Sequence, residues 1–323
     1  MRIPIFEQLH REGLLSEASL NKIRIDEGTR LFSIHWEVKT LLYIGVLLLT
    51  GGIGILIYKN IDTIGHTVIL ALIGAVCAGC FVYCERKKLP FSFARVPAPN
   101  AYFDYILLLG CLTLLTFITY LQVQYTAFGE SYGLATFIPM VILFVCSYYF
   151  DHLGVLSLAI TNLAAWMGVA VTPLKIFKAN NFEDAQIIFA GLLLGTVLVL
   201  LAHLSKTRKL KEHFSFTYLN FGMNVSFVSC LAGMFYFEDT YFLWFVPLAI
   251  LAFYFYRQAV KLSSFYFMLM VVLYSYVGVG YGVIRLISEV WILVLMYFMG
   301  SAILSVILLI NLNQKLKANA GLQ

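Results

Sequence analysis

Hydrophobic and polar positions along this chain do not alternate. They separate into long apolar runs divided by short polar stretches, and ten such runs can be drawn at roughly 40–58, 66–84, 102–121, 132–150, 153–172, 185–204, 214–236, 241–256, 262–282 and 290–310. Each is near the length of about 20 residues that an α-helix needs to cross a hydrocarbon core about 30 Å thick. Backbone amides in lipid have no water to bond, so a spanning segment must be a helix or a strand of a closed barrel. Barrel strands alternate apolar and polar residues. The run from Leu107 to Leu115 does not. The pattern therefore predicts an all-α fold, a polytopic transmembrane helical bundle of about ten spans. Two places are weak: only Asp151-His152 separates the fourth run from the fifth, and the eighth run is short. A re-entrant or kinked element at either would lower the count.

Before the first run, residues 1–39 mix apolar positions (Ile5, Phe6, Leu9, Leu14, Leu15, Leu20, Ile23, Ile25) with charges at approximately helical spacing. Gly13 can close one helix and Ser16 can cap the next, which gives a short helical hairpin. A hairpin of that size cannot bury its own core. It is expected to lie against loops, the membrane surface or a partner. No apolar stretch followed by a small-residue cleavage site precedes the first span, so that span is expected to act as the targeting signal. The organisation read from the sequence is 1–39 as a cytoplasmic helical segment, 40–310 as the transmembrane bundle and 311–323 as a cytoplasmic tail.

Composition sharpens the class: 61% of residues are hydrophobic and 12% charged, against about 25% charged in soluble domains. The charges also set an orientation. With the N-terminus inside, inner segments hold six Lys/Arg before residue 40, four in 85–101, four in 205–213, then Arg257, Lys261, Lys315 and Lys317. Outer segments hold only Lys59, Lys175, Lys178 and Arg285. Lys and Arg resist translocation, so both termini are expected in the cytoplasm of a bacterial inner membrane, with the lipid bilayer as the first partner. The basic inner face suits anionic headgroups, and the charge pattern gives no reason to invoke nucleic acid. All six cysteines fall inside predicted runs, where a disulfide framework is not expected.

Two segments carry a family resemblance. His10-Arg11-Glu12-Gly13-Leu14-Leu15-Ser16-Glu17 resembles the "x-x-E-G-L-I-S-x-E" opening of the DUF2157 family of predicted membrane proteins. The glycine-rich first span (Gly45, Gly51, Gly52, Gly54) and Lys59-Asn60-Ile61-Asp62-Thr63-Ile64 are similar to that family's first span and its "x-N-W-D-x-I" turn. Ile61 stands where the family has tryptophan, which marks a divergent member. The resemblance covers roughly residues 5–85 and implies a membrane protein without a transferable chemistry.

Ionisable and amide side chains within lipid are candidate functional positions. Asp104, one turn inside the third span, reads either as a cation or proton site or as a carboxylate at a helix N-terminus. Asn162 falls near the middle of the fifth span. Asn220 and Asn224 lie one turn apart in the seventh and so face one way. These four are the substrate-path candidates, with interhelical hydrogen bonding as the plainer reading. Arg285 and Glu289, four apart, are candidates for an outer ion pair or vestibule. Gly191 and Gly195 promise close helix approach, Gly278, Gly280 and Gly282 an unwound end, and Pro139 and Pro247 kinks. No H-E-x-x-H, paired intramembrane aspartates or phosphate loop is present, so no enzymatic activity, metal or cofactor is expected. Two functions remain. One is a transporter or flippase of a small solute or lipid-linked molecule, suggested by ten short-looped spans that divide five and five. The alternative is a non-catalytic scaffold or accessory subunit of a cell-envelope complex, working through a membrane-protein partner or an oligomer.

Overall fold

The computed structural model describes residues 10, 12, 15–17, 19, 35–59, 65–129, 132–171, 185–287 and 291–320. Among them there is no strand. The helices are α1 (His35–Lys59), α2 (His66–Lys87), α3 (Phe103–Tyr125), α4 (Tyr132–Phe150), α5 (Leu153–Val171), α6 (Ala185–Thr207), α7 (Phe214–Tyr236), α8 (Phe245–Lys261), α9 (Phe265–Ile287) and α10 (Trp291–Ala320), with a 3-10 turn, Glu238–Trp244, leading into α8. Eight of the described helices are long and apolar enough to cross a membrane; α1 and α5 contribute shorter apolar stretches, Thr40–Ile55 and Leu153–Gly168. The chain is a multi-pass helical membrane protein.

It divides into two compact units, residues 1–60 and 61–323. In the first, Ser16 Oγ accepts the Ser19 backbone N–H at 3.3 Å. That is the cap expected at the start of a second helix. The rest of the predicted hairpin lies outside the described residues.

In the second unit helices pack chiefly as sequential antiparallel pairs: α2 with α3, α4 with α5, α6 with α7, α8 with α9, and α9 with α10. Lipid supplies no hydrophobic drive between helices, so close contact and hydrogen bonds must hold them. The tightest pair shows how. A Cβ on Gly195 would lie 3.0 Å from Ser226 N and 3.1 Å from the Gly222 carbonyl, and one on Gly191 would collide with the Ser229 hydroxyl. The predicted small-residue face of α6 thus lets α7 approach to backbone contact. α7 is the hub, the most buried of the eight spanning helices.

Two apolar cores meet at α5. Val155 and Ala159 face one, with Cys84, Leu107, Cys111, Leu143 and Cys146. Leu156 and Ile160 face the other, built around Phe214, Tyr218, Phe227, Phe255 and Phe267. All six cysteines are buried and free.

One expectation holds at its weakest point and two change. The Asp151-His152 break is a real two-residue turn between separate helices, closed by a hydrogen bond from His152 N to the Ser147 carbonyl at 3.1 Å. Pro247 lies in the first turn of α8, where its missing N–H has no helical partner to lose; it begins that helix instead of kinking it. Gly278, Gly280 and Gly282 do not end α9, which continues to Ile287. Gly278 lies against Leu248, and a Cβ on Gly282 would meet the Phe245 ring at 2.5 Å. Gly278 and Gly282 thus admit α8, whereas Gly280 faces Tyr297 of α10.

Candidate functional site

The even-numbered connections, between α2 and α3, α4 and α5, and α6 and α7, meet at one end of the second unit. This is the basic face that the charge pattern assigns to the inside. Pro90 ends α2 at Lys87, because the residue before a proline is turned away from helical geometry. The chain then runs without regular structure to Phe103. Asn100 turns it into α3, accepting the Tyr102 N–H at 3.0 Å and donating to Tyr83 Oη at 3.1 Å.

An ion cluster built on a buried Asp151–Lys211 pair ties these connections together. Asp151 is 1% exposed and Lys211 0%. Lys211 Nζ is 3.1 Å from Asp151 Oδ2, and His213 Nε2 donates to Oδ1 at 2.6 Å. The Val96 N–H donates to Oδ2 at 2.5 Å. Lys211 also donates its backbone N–H to the Phe93 carbonyl at 2.9 Å, and Ser205 Oγ donates to the Leu210 and Lys211 carbonyls at 2.8 and 3.1 Å. A buried charge is tolerated only when paired and hydrogen-bonded, and both oxygens of this carboxylate are engaged. Both charged residues sit in the left-handed region, Asp151 at φ 58° and Lys211 at φ 50°. Glycine adopts it most readily but would bring no charge.

Asp104 joins the same end. Its Oδ1 lies 3.9 Å from His152 Nε2. His152 Nδ1 accepts the Val155 N–H at 3.0 Å, capping α5, so the ring proton is on Nε2, toward the carboxylate. Beside this pair, Lys88 donates to Tyr149 Oη and, at 2.5 Å, to Glu85. Chemically, the cluster fastens three connections and engages both oxygens of the Asp151 carboxylate.

The other candidates lie elsewhere. Asn220 and Asn224 project from α7 to α9. Asn224 Nδ2 donates to Asn220 Oδ1 at 2.9 Å, Tyr266 Oη donates to Asn220 Oδ1 at 2.7 Å, and Tyr274 Oη donates to Asn224 Oδ1 at 2.7 Å. The Tyr274 ring stacks on Phe227, centroids 4.9 Å apart. Asn162, half-buried on α5, takes no part in this network. At the opposite end Arg285 pairs with Glu238 of the 3-10 turn and donates from Nε to Tyr281 Oη at 3.1 Å. Glu289 lies outside the described residues, so the Arg285–Glu289 expectation is untested while a different acid is in place. Among the described residues no group of three or more His, Cys, Asp or Glu has metal-binding geometry.

Sequence reasoning missed Asp151, Lys211 and His213 as a unit. Lys211 reads as one of four topogenic cations in 205–213, and Asp151 as a boundary marker. The only local signal was the isolation of Asp151-His152 between two apolar runs.

No curated protein and no solved structure matches this chain. One family does: residues 7–156 match the family described as Predicted membrane protein (DUF2157). That stretch reaches from the resembling N-terminal segment through α4 to the fourth residue of α5, and includes Asp104, Asp151 and His152. Over residues 7–156 this multi-pass membrane protein is thus similar to the DUF2157 family of predicted membrane proteins.

Proposed function

We propose that this chain is a non-catalytic scaffold or accessory subunit of a cell-envelope complex, seated in a bacterial inner membrane with both termini in the cytoplasm. The observation that carries this reading is the network of Asn220, Asn224, Tyr266 and Tyr274. The paired amides best suited to line a substrate path donate to and accept from the chain's own side chains, joining α7 to α9. The α6–α7 seam supports the same view. Two helices in backbone contact through Gly195 and Gly222 make a poor sliding surface for alternating access, which requires one group of helices to rock against another. On the inner face, the Asp151 cluster fixes three connections into one surface, as a docking platform requires.

Extraction of the tagged chain in a mild detergent, followed by native mass spectrometry, tests the proposal. A stoichiometric membrane-protein partner, retained with the chain, is the expected result. A chain that purifies alone and holds a solute or lipid-linked molecule, released by Asn224→Leu, would overturn the scaffold reading in favour of transport.

A further inference from the structure

An apolar groove opens on the surface between Phe91, in the connection after α2, and the last turns of α4. Phe144, Val145, Tyr148 and Tyr149 form its floor, and its volume is about 420 Å³. Phe91 is 50% exposed and Val145 61%, so the described residues leave the groove uncovered. Almost nothing polar lines it, yet its inner-face end carries cations. Lys88 Nζ lies 4.1 Å from the centre of the Tyr149 ring, and Lys211 Nζ 5.0 Å from that of Phe91. Arg86 and Lys87 are exposed at the adjoining end of α2, and Arg95 is exposed further along the connection.

An apolar trough with positive charge at one end only has the layout of a phospholipid. We propose that this groove is a binding site for one anionic phospholipid of the inner leaflet. An acyl chain lies along Phe144, Val145 and Tyr148, and the phosphate is held by Lys88 with Arg86 or Lys87. Charge complementarity selects the occupant: Asp151 is already paired with the buried Lys211, and the acid beside Lys88 is Glu85, its exposed partner. A surface pair of that kind contributes little, so a phosphate can replace it. Lys211 is committed to Asp151 and does not take part in headgroup binding. The exposed Leu89 and Phe93, flanking Phe91, anchor the connection at the membrane interface, where apolar and aromatic side chains are at home.

The test counts retained lipids by native mass spectrometry. The full chain in detergent is titrated with dioleoyl phosphatidylglycerol or dioleoyl phosphatidylcholine at low molar excess. The wild type should retain the anionic lipid at least about fivefold better, the contribution of one cation near a phosphate. Val145→Trp, which fills the groove from an exposed position, should lose the bound lipid without lowering the melting temperature in lipid-free detergent. Lys88→Gln should keep a lipid but lose the headgroup preference. Equal retention of the two lipids by the wild type, or unchanged retention by Val145→Trp, would overturn the proposal. So would release of a co-purified protein by Val145→Trp in place of lipid. These outcomes are independent of the scaffold reading, which does not require this groove.

Discussion

Asp151 holds an unusual combination for one residue: a left-handed backbone, almost complete burial, and hydrogen bonds or ion pairs to three other residues. Removing one partner of a buried ion pair leaves an uncompensated charge and typically costs about 3–5 kcal/mol. Lys211→Met should therefore lower stability by about that amount, read from thermal unfolding in detergent. Lys211→Met combined with Asp151→Asn, which keeps a residue tolerant of left-handed geometry, should be less damaging than Lys211→Met alone. The intramembrane amides are a smaller matter. Asn224→Leu deletes hydrogen bonds that in membrane proteins average about 0.6 kcal/mol and reach about 1.7 kcal/mol, so unfolding should shift only slightly. At this scale the sequence was legible in part. Asp104 stood out because a carboxylate in an apolar run is conspicuous, and the spacing of Asn220 and Asn224 placed them on one face. Lys211 did not stand out. Its burial is produced by Asp151, sixty positions earlier, and by the connection at Phe93 and Val96, and no local pattern encodes such a meeting.

Among the elements, glycine position decides what each helix pair can do. A side chain at Gly195 meets Ser226 and the Gly222 carbonyl, whereas one at Gly79 meets nothing within 4 Å. Gly195→Val should destabilise the protein by about 1–3 kcal/mol, the usual cost of overpacking. Gly79→Val, facing open space on α2, should be close to neutral; thermal unfolding of the two variants in parallel checks the contrast. The helices themselves were readable, since the apolar runs drawn to 84, 150 and 204 end within three residues of the helix ends at Lys87, Phe150 and Thr207. What the runs could not show was how the glycines and prolines are used. Whether Gly278 and Gly282 unwind α9 or receive Leu248 and Phe245 depends on which helix lies opposite, and whether Pro247 kinks or begins a helix depends on where the 3-10 turn stops.

For the whole molecule, the fold class followed from the apolar runs, and the meeting of the three even connections at one end agrees with the alternation of spans. The orientation still rests on charge. Reporter fusions ending at Ser92 and at Ala127 should be active on the cytoplasmic and the outer side respectively, and the reverse pattern would invert the topology. The division between scaffold and carrier turns on whether the α7–α9 interior belongs to the protein's own hydrogen bonds or to water and solute. Substituted-cysteine labelling resolves it most directly. Asn224→Cys and Ser92→Cys are treated in sealed membranes with a membrane-impermeant thiol reagent applied from each side. The scaffold account predicts labelling of Cys at 92 from the cytoplasmic side and none at 224 from either side. Labelling at 224, from one side or both, would contradict it by showing an aqueous path through the bundle.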